Sequence, residues 1–307
     1  MLAWLLNGEH TVRHTRRDFL KTTAGAAVLA GTGVAIPARA AQRSATDWVT
    51  LGRSGVKVTR LAFGTGTFGG NVQRSLGQEQ FTKVVRHAYD RGIRFFETAD
   101  AYRGMPQMLA TALKGIPRDS YKLMTKFRLN DTADPAATID RLRSDLNTDH
   151  LDIMLLHCVR TSDWSEELKN LRDALSEAKA KKIILAHGAS CHGLLPLRAF
   201  PGNEWLDVAL IRINHNGTRM DTAQMRETNE PGNVEEVVAH AKKIHAQGTG
   251  VLGMKLVGEG RFKNREDRAT ALKFVMGLGA VDAVTIGFKS TDEVDEAIAN
   301  IGAALNA

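Results

Sequence analysis

From residue 60 to the end of the chain, short apolar runs alternate with longer amphipathic stretches. The runs are RLAFG (60–64), IRFFE (93–97), YKLMTK (121–126), LDIMLLH (151–157), IILAHG (183–188), LDVALIRI (206–213), GVLGMK (250–255) and VDAVTIG (281–287). Their length and their content of aliphatic and aromatic residues predict strands buried on both faces. Between them, stretches such as EQFTKVVRHAYDRG repeat apolar residues at helical spacing, here Phe81, Val84, Val85 and Ala88, with Gly92 as a stop. SEELKNLRDALSEAKAKK is a second such stretch. Strands alternating with helices over about 250 residues predict an α/β protein, a (β/α)8 TIM barrel. A doubly wound sheet is the alternative. Against it, the first strand runs into GTGTFGG with no acidic ribose-binding residue in the expected place. Upstream, WVTLGRSGVKVTRL predicts an N-terminal β-hairpin that closes the barrel's bottom.

The first forty residues do not share this pattern. Arg16 and Arg17 stand in TRRDFLK, followed by TTAGAAVLAGTGVAI and then Ala38-Arg39-Ala40, a small-x-small cleavage site. The apolar stretch is too short and too weak for a membrane span, which needs about 20 residues. The segment resembles a bacterial twin-arginine export signal. That resemblance implies a signal peptide over residues 1–40, a barrel domain over 41–307, a periplasmic location and the twin-arginine translocation machinery as the partner during export. Removing residues 1–40 takes away five basic and two acidic residues and lowers the formal charge from +7 to +4. No Lys/Arg cluster is interleaved with aromatics, so the charge gives no support to nucleic-acid binding. Two cysteines, Cys158 and Cys191, are too few for a disulfide framework, though they follow adjacent strands and leave a single bridge open.

Chemistry in such a barrel sits at the C-terminal ends of the strands. The polar residues there are Glu97, Lys126, His157, Ser190 just past the fifth strand, and Lys255, with Tyr102 in the loop after Glu97. A tyrosine hydroxyl, with an ordinary pKa near 10, is poorly matched to proton transfer at neutral pH. A neighbouring ammonium stabilises the phenolate, a carboxylate holds that ammonium in place, and an imidazole orients a carbonyl oxygen. The set suits protonation of a carbonyl while hydride arrives from a cofactor.

At this point the chain resembles the aldo-keto reductases over essentially its whole length beyond residue 40. LGRSGVKVTRLAFGTGTFGG is similar to that family's opening hairpin and first strand. FFETADAYRGMPQMLATALKG is similar to its Phe-Asp-Thr-Ala, Tyr, then Ala-Leu-Lys-Gly pattern, KLMTKF to its catalytic-lysine strand and LDIMLLH to its histidine strand. The resemblance implies Tyr102 as proton donor, Lys126 as the group that lowers its pKa, His157 as the carbonyl-orienting residue and Glu97 as the carboxylate. It implies NADP(H), with NAD(H) as the alternative, lying extended over the barrel's top against Gly64, Thr65, Ser190, Cys191, Met254, Lys255, Lys289 and Ser290. The substrate it implies is a small carbonyl compound: an aldehyde, ketone or quinone.

Several positions depart from the family's pattern. Glu97 stands where the family has Asp, so its carboxylate is displaced by about a bond length unless the strand end adjusts. Cys191 replaces an Asn that holds the nicotinamide amide, Met254 an aromatic that stacks on the ring, and Lys255 a serine. Glu293 falls where an arginine often meets a 2′-phosphate. These changes keep open a barrel that binds a small ligand without catalysis. A metal-dependent hydrolase is a further alternative because His157, His187, His192 and His215 lie near the rim, but the usual His-x-His of the first strand is missing. The longest loop after a strand, residues 215–233, carries Arg219 and Arg226, which hint at an anionic substrate.

Overall fold

The computed structural model describes residues 42–130, 133–222 and 230–307. Residues 1–40, expected to be an export signal, with Arg16 and Arg17, and Arg226 lie outside the described residues. Residues Gln42–Ala307 form one compact unit. Among the described residues no helix is long and apolar enough to cross a membrane.

A two-stranded antiparallel hairpin comes first, β1 (Trp48–Thr50) and β2 (Lys57–Thr59), with Trp48 opposite Thr59. Eight parallel strands follow: β3 (Leu61–Gly64), β4 (Phe95–Glu97), β5 (Lys122–Phe127), β6 (Leu151–Val159), β7 (Ile184–Cys191), β8 (Val208–Arg212), β9 (Gly250–Met254) and β10 (Ala283–Gly287). They close in the order β10-β3-β4-β5-β6-β7-β8-β9, so the first and last barrel strands pair. The expected (β/α)8 barrel with its hairpin is the architecture observed. All eight strands fall on the runs that the apolar pattern marks.

Each barrel strand is buried on both faces, which is why these runs are continuously apolar. Alternate residues divide between two layers. Ala62, Phe95, Met124, Ile153, Ala186 and Leu210 fill the interior, where Leu51, Val56 and Val58 of the hairpin segment join them and seal the bottom. The intervening residues, such as Phe63, Phe96, Met154 and Ala189, face the helices. The first helical stretch forms α2 (Gly77–Asp90), behind a short α1 (Asn71–Arg74), and buries the four apolar residues named for it. Gly92, at φ 97°, ends that turn in a conformation a side chain rarely allows.

Two strands run at least two residues further than the apolar pattern suggests. β6 continues through Cys158 to Val159 by a register shift between Leu156 and Val159, with Cys158 at φ 65°. That bulge re-aims the strand end at the rim. β7 continues to Cys191 because His192 N–H still donates to Val159 O at 3.0 Å. Ser190 and Cys191 therefore belong to the strand, on opposite faces, instead of following it.

Candidate active site

Strand alternation delivers the first two groups. Phe95 and Met124 face the interior, so Glu97 and Lys126, each two residues further on, face it too at the barrel's top. There they form a direct ion pair, with side chains 5% and 1% exposed. Lys126 Nζ also donates to Thr98 O at 3.0 Å and to the Tyr102 hydroxyl at 3.3 Å, which uses all three of its protons. The second Glu97 oxygen accepts from Thr285 Oγ1 at 3.2 Å. Thr285 was not singled out from the sequence. The signal for it was the same alternation, since Ala283 two residues earlier faces inward.

Gly64 explains how glutamate fits where one methylene less would do. A Cβ there would lie 2.6 Å from Thr285 Oγ1 and 3.0 Å from Glu97 Oε2. Its absence leaves room for the longer side chain, and the carboxylate reaches the ammonium. The expected displacement is thus absorbed beside the strand. Gly66 does the same for the tyrosine, because a Cβ at that position would meet the Tyr102 hydroxyl at 2.5 Å.

His157 meets Tyr102 edge-on, ring centroids 5.4 Å apart at 85°. Burial, helped by the cations Lys126, Arg128, Lys255 and Arg160, holds its imidazole well below the ordinary histidine value, so it is neutral at pH 7. Burial first, and Glu97 next, push the Tyr102 hydroxyl well above 10. Burial and the Glu97 charge thus outweigh the Lys126 ammonium, 3.3 Å from the hydroxyl, that was expected to lower it. Burial also draws Lys126 down, against Glu97, which raises it. At neutral pH the site holds a protonated phenol, a neutral imidazole and a closed ion pair.

A cavity of about 500 Å³ starts at Tyr102, Lys126 and Glu97 and crosses the ends of β9 and β10 to α10 (Thr291–Leu305). Of the residues expected to meet a cofactor, Gly64, Met254, Lys255 and Lys289 line it. Other expected residues are placed differently. Thr65 is buried and donates from Oγ1 to Thr98 Oγ1 at 2.9 Å. Ser190 faces inward, but its hydroxyl accepts the Cys158 N–H at 2.9 Å and is buried. Cys191 points away into the layer beneath the helices, its sulfur 3.9 Å from Asp221. Neither Ser190 nor Cys191 lines the cavity, because β7 reaches further than expected. Cys158 and Cys191 are free thiols. Ser290 is the N-cap of α10 and accepts the Glu293 N–H at 3.3 Å, while Lys289 lies 3.7 Å from the Glu293 carboxylate.

Glu259 is the largest omission of the sequence reading. Its carboxylate, 4% exposed, binds Lys255, Arg219 at 2.7 Å and the Phe68 N–H at 3.1 Å. One carboxylate thus ties together the loops after β3, β8 and β9, and all four residues have positive φ. The hint that Arg219 serves an anionic substrate is corrected here, since its charge is committed to Glu259. The remaining histidines disperse: His187 stacks on Trp205 at 4.4 Å on the helix side, and His215 packs against Phe262.

The model of the aldo/keto reductase family matches residues 60–278, the segment that carries the barrel strands up to β9 and the whole of this constellation except Thr285. The chain belongs to the aldo/keto reductase family. A curated member, "Probable aldo-keto reductase 1" of Glycine max, is 29% identical over 170 residues, 49% of either chain. The chain thus spans about half the length of that curated relative. Among solved structures, an aldo-keto reductase from Bacillus halodurans in its holo form superposes with a TM-score of 0.64 at 18% identity, covering 85% of this chain and 95% of that one. An aldo-keto reductase from Klebsiella pneumoniae in complex with NADPH gives 0.59 at 16% identity, over 84% and 89%. At such identities the likeness to the two structures is one of fold. In this aldo/keto reductase Glu97 reaches Lys126 through the gap beside Gly64.

Proposed function

We propose that the protein is an NAD(P)H-dependent oxidoreductase that reduces a small carbonyl compound, an aldehyde, ketone or quinone, with Tyr102 as proton donor. The observation that carries this reading is the Tyr102–Lys126–Glu97 chain at one end of a long cavity, with neutral His157 beside it. The cavity fits an extended dinucleotide. Lys255, whose ammonium is paired with Glu259, and Lys289, just before the first turn of α10, both line the cavity. A helix N-terminus favours negative charge there. NADP(H) is the cofactor bound by the Klebsiella pneumoniae relative; NAD(H) remains the alternative because Glu293 sits beside Lys289.

The nicotinamide, when bound, supplies the hydride. The chain's own residues do the rest. The raised Tyr102 pKa keeps its proton in place through neutral pH, ready for a carbonyl oxygen that gains negative charge. Once that proton leaves, Lys126 Nζ, 3.3 Å away, stabilises the phenolate. Glu97 keeps Lys126 charged and aimed, and the His157 ring N–H orients the carbonyl. The apolar walls around Tyr102 strengthen each of these electrostatic contacts.

A binding protein without turnover is the second reading, favoured by the withdrawal of Ser190 and Cys191 from the cavity. One experiment separates the two. Cofactor oxidation is followed with a panel of aldehydes and quinones, and NADPH and NADH binding by calorimetry, for wild type and Tyr102→Phe. The reductase reading expects turnover that Tyr102→Phe abolishes while cofactor binding persists. Cofactor binding without any turnover supports the second reading, and absence of both removes the dinucleotide altogether.

We also propose that residues 1–40 are a twin-arginine signal and that the barrel works in the periplasm. Support comes from the Arg16-Arg17 pair, the weak apolar stretch and the Ala38-Arg39-Ala40 site.

A further inference from the structure

Glu97 gives one carboxylate oxygen to Lys126 and the other to Thr285. These partners stand on opposite sides of it. Lys126 is on β5, the next strand round the barrel, and Thr285 is on β10, two strands back the other way with β3 between. The bond to Thr285 therefore passes over β3 at Gly64, the residue level with Glu97 in register, where a Cβ would touch both groups. Thr285 Oγ1 is the donor, because a carboxylate in an ion pair only accepts. Its hydroxyl is a fixed point. A β-branched side chain is stiff at χ1, and Val284 and Ile286 on either side are packed under the helices. Glu97 and Lys126 are long and flexible by comparison. Thr285 also lines the cavity and is half-buried, so solvent can satisfy its hydroxyl and burial alone does not call for this bond.

The direction of the Lys126 ammonium depends on this bond. Its three N–H groups keep a fixed angle to one another, and they go to Thr98 O, Glu97 and the Tyr102 hydroxyl. Thr98 O is backbone and does not turn; the Glu97 carboxylate does, unless its second oxygen is held. We propose that Thr285 is a positioning residue: it fixes the rotation of the Glu97 carboxylate and thereby aims Lys126 at Tyr102. Gly64, Glu97 and Thr285 then form one unit, in which the gap admits the longer acid and the hydroxyl orients it. The effect on rate rests on the reductase reading; the coupling between residues 97 and 285 does not. The unit differs from simple packing in one property. An aspartate at position 97 cannot span Lys126 and Thr285 together, so with it the hydroxyl at 285 has nothing left to aim.

The test is a double-mutant cycle of wild type, Thr285→Val, Glu97→Asp and the combined variant, with Thr285→Ser restoring the hydroxyl alone. Valine keeps the shape of threonine, so the cavity wall persists. With the aldehyde and quinone panel, Thr285→Val should lower kcat about tenfold and leave KM within about twofold. Thr285→Ser should keep most of the rate. Added to Glu97→Asp, Thr285→Val should change kcat by less than about twofold. A wild-type rate in Thr285→Val, the same loss in both backgrounds, or no rescue by serine overturns the proposal. If no protein turns over, urea denaturation of the same set decides. A fall in midpoint on Thr285→Val that is absent in the Glu97→Asp background supports the unit and fails only the reductase reading. Equal falls in both backgrounds, or none, overturn the unit.

Discussion

Glu97 shows how far one methylene matters. Its carboxylate spans two partners, Lys126 and Thr285, in a space that exists because residue 64 has no side chain. Glu97→Asp withdraws the carboxylate from one of them and is expected to slow carbonyl reduction by about tenfold. Glu97→Gln removes the charge and is expected to cost about 10²-fold, the scale of a misplaced catalytic group. It also leaves Lys126 buried without a counter-ion, which should lower unfolding stability by about 3–5 kcal/mol. Steady-state rates and urea denaturation of both variants check this. Tyr102 makes a pH prediction with a definite sign. Its folded pKa is raised, so the folded state keeps a proton that the unfolded chain releases near pH 10. The stability this contributes is complete below pH 10 and is lost as pH rises from 10 towards the folded value, by at most about 1.4 kcal/mol per pH unit. Tyr102→Phe should flatten that portion of the alkaline decline, measured as the difference between the two proteins' denaturation curves at pH 9 and pH 11. Among single residues, the catalytic candidates were legible because inward-facing polar groups at strand ends are costly unless used. Glu259 was not, because nothing in a loop sequence announces which three loops one carboxylate will tie.

At the level of elements, periodicity located every barrel strand, but strand length decided what Ser190 and Cys191 do. Counting by twos from the inward Ala186 places Ser190 inside and Cys191 outside, provided that the strand continues to 191. The apolar run stops at Gly188, and the continuation depends on pairing with β6, which no local pattern records. The bulge at Cys158 escaped for the same reason. The start of α10, expected from the sequence to face a cofactor, has mixed electrostatics. Glu293 accepts the Lys289 N–H at 2.9 Å and faces the Lys289 ammonium, so it competes with any 2′-phosphate for that charge. Glu293→Ala should tighten NADP(H) binding about tenfold and leave NAD(H) within about twofold, the exposed charge being worth roughly 1 kcal/mol or a little more. Calorimetry with both cofactors checks it, and equal gains for the two would show that Glu293 plays no part in selecting between them.

For the whole molecule, eight strands alternating with helices made the barrel the strongest inference available before any coordinates, since few other architectures use that alternation at this length. Location is a separate matter, because the proposal for it rests on residues 1–40, which lie outside the described residues. Changing Arg16 and Arg17 together to Lys should leave folded, uncleaved protein in the cytoplasm. Mature protein in the periplasm from that variant would sink the export proposal. The sheet itself places a condition on timing. Val284 pairs with Leu61, so the ring of strands closes only through a segment near the far end of the chain. A contact so distant in sequence forms late, and until the ribosome has released residues 283–287 the first barrel strand has one open edge. On the export proposal, a cargo that must be finished before it leaves waits for synthesis of this last strand.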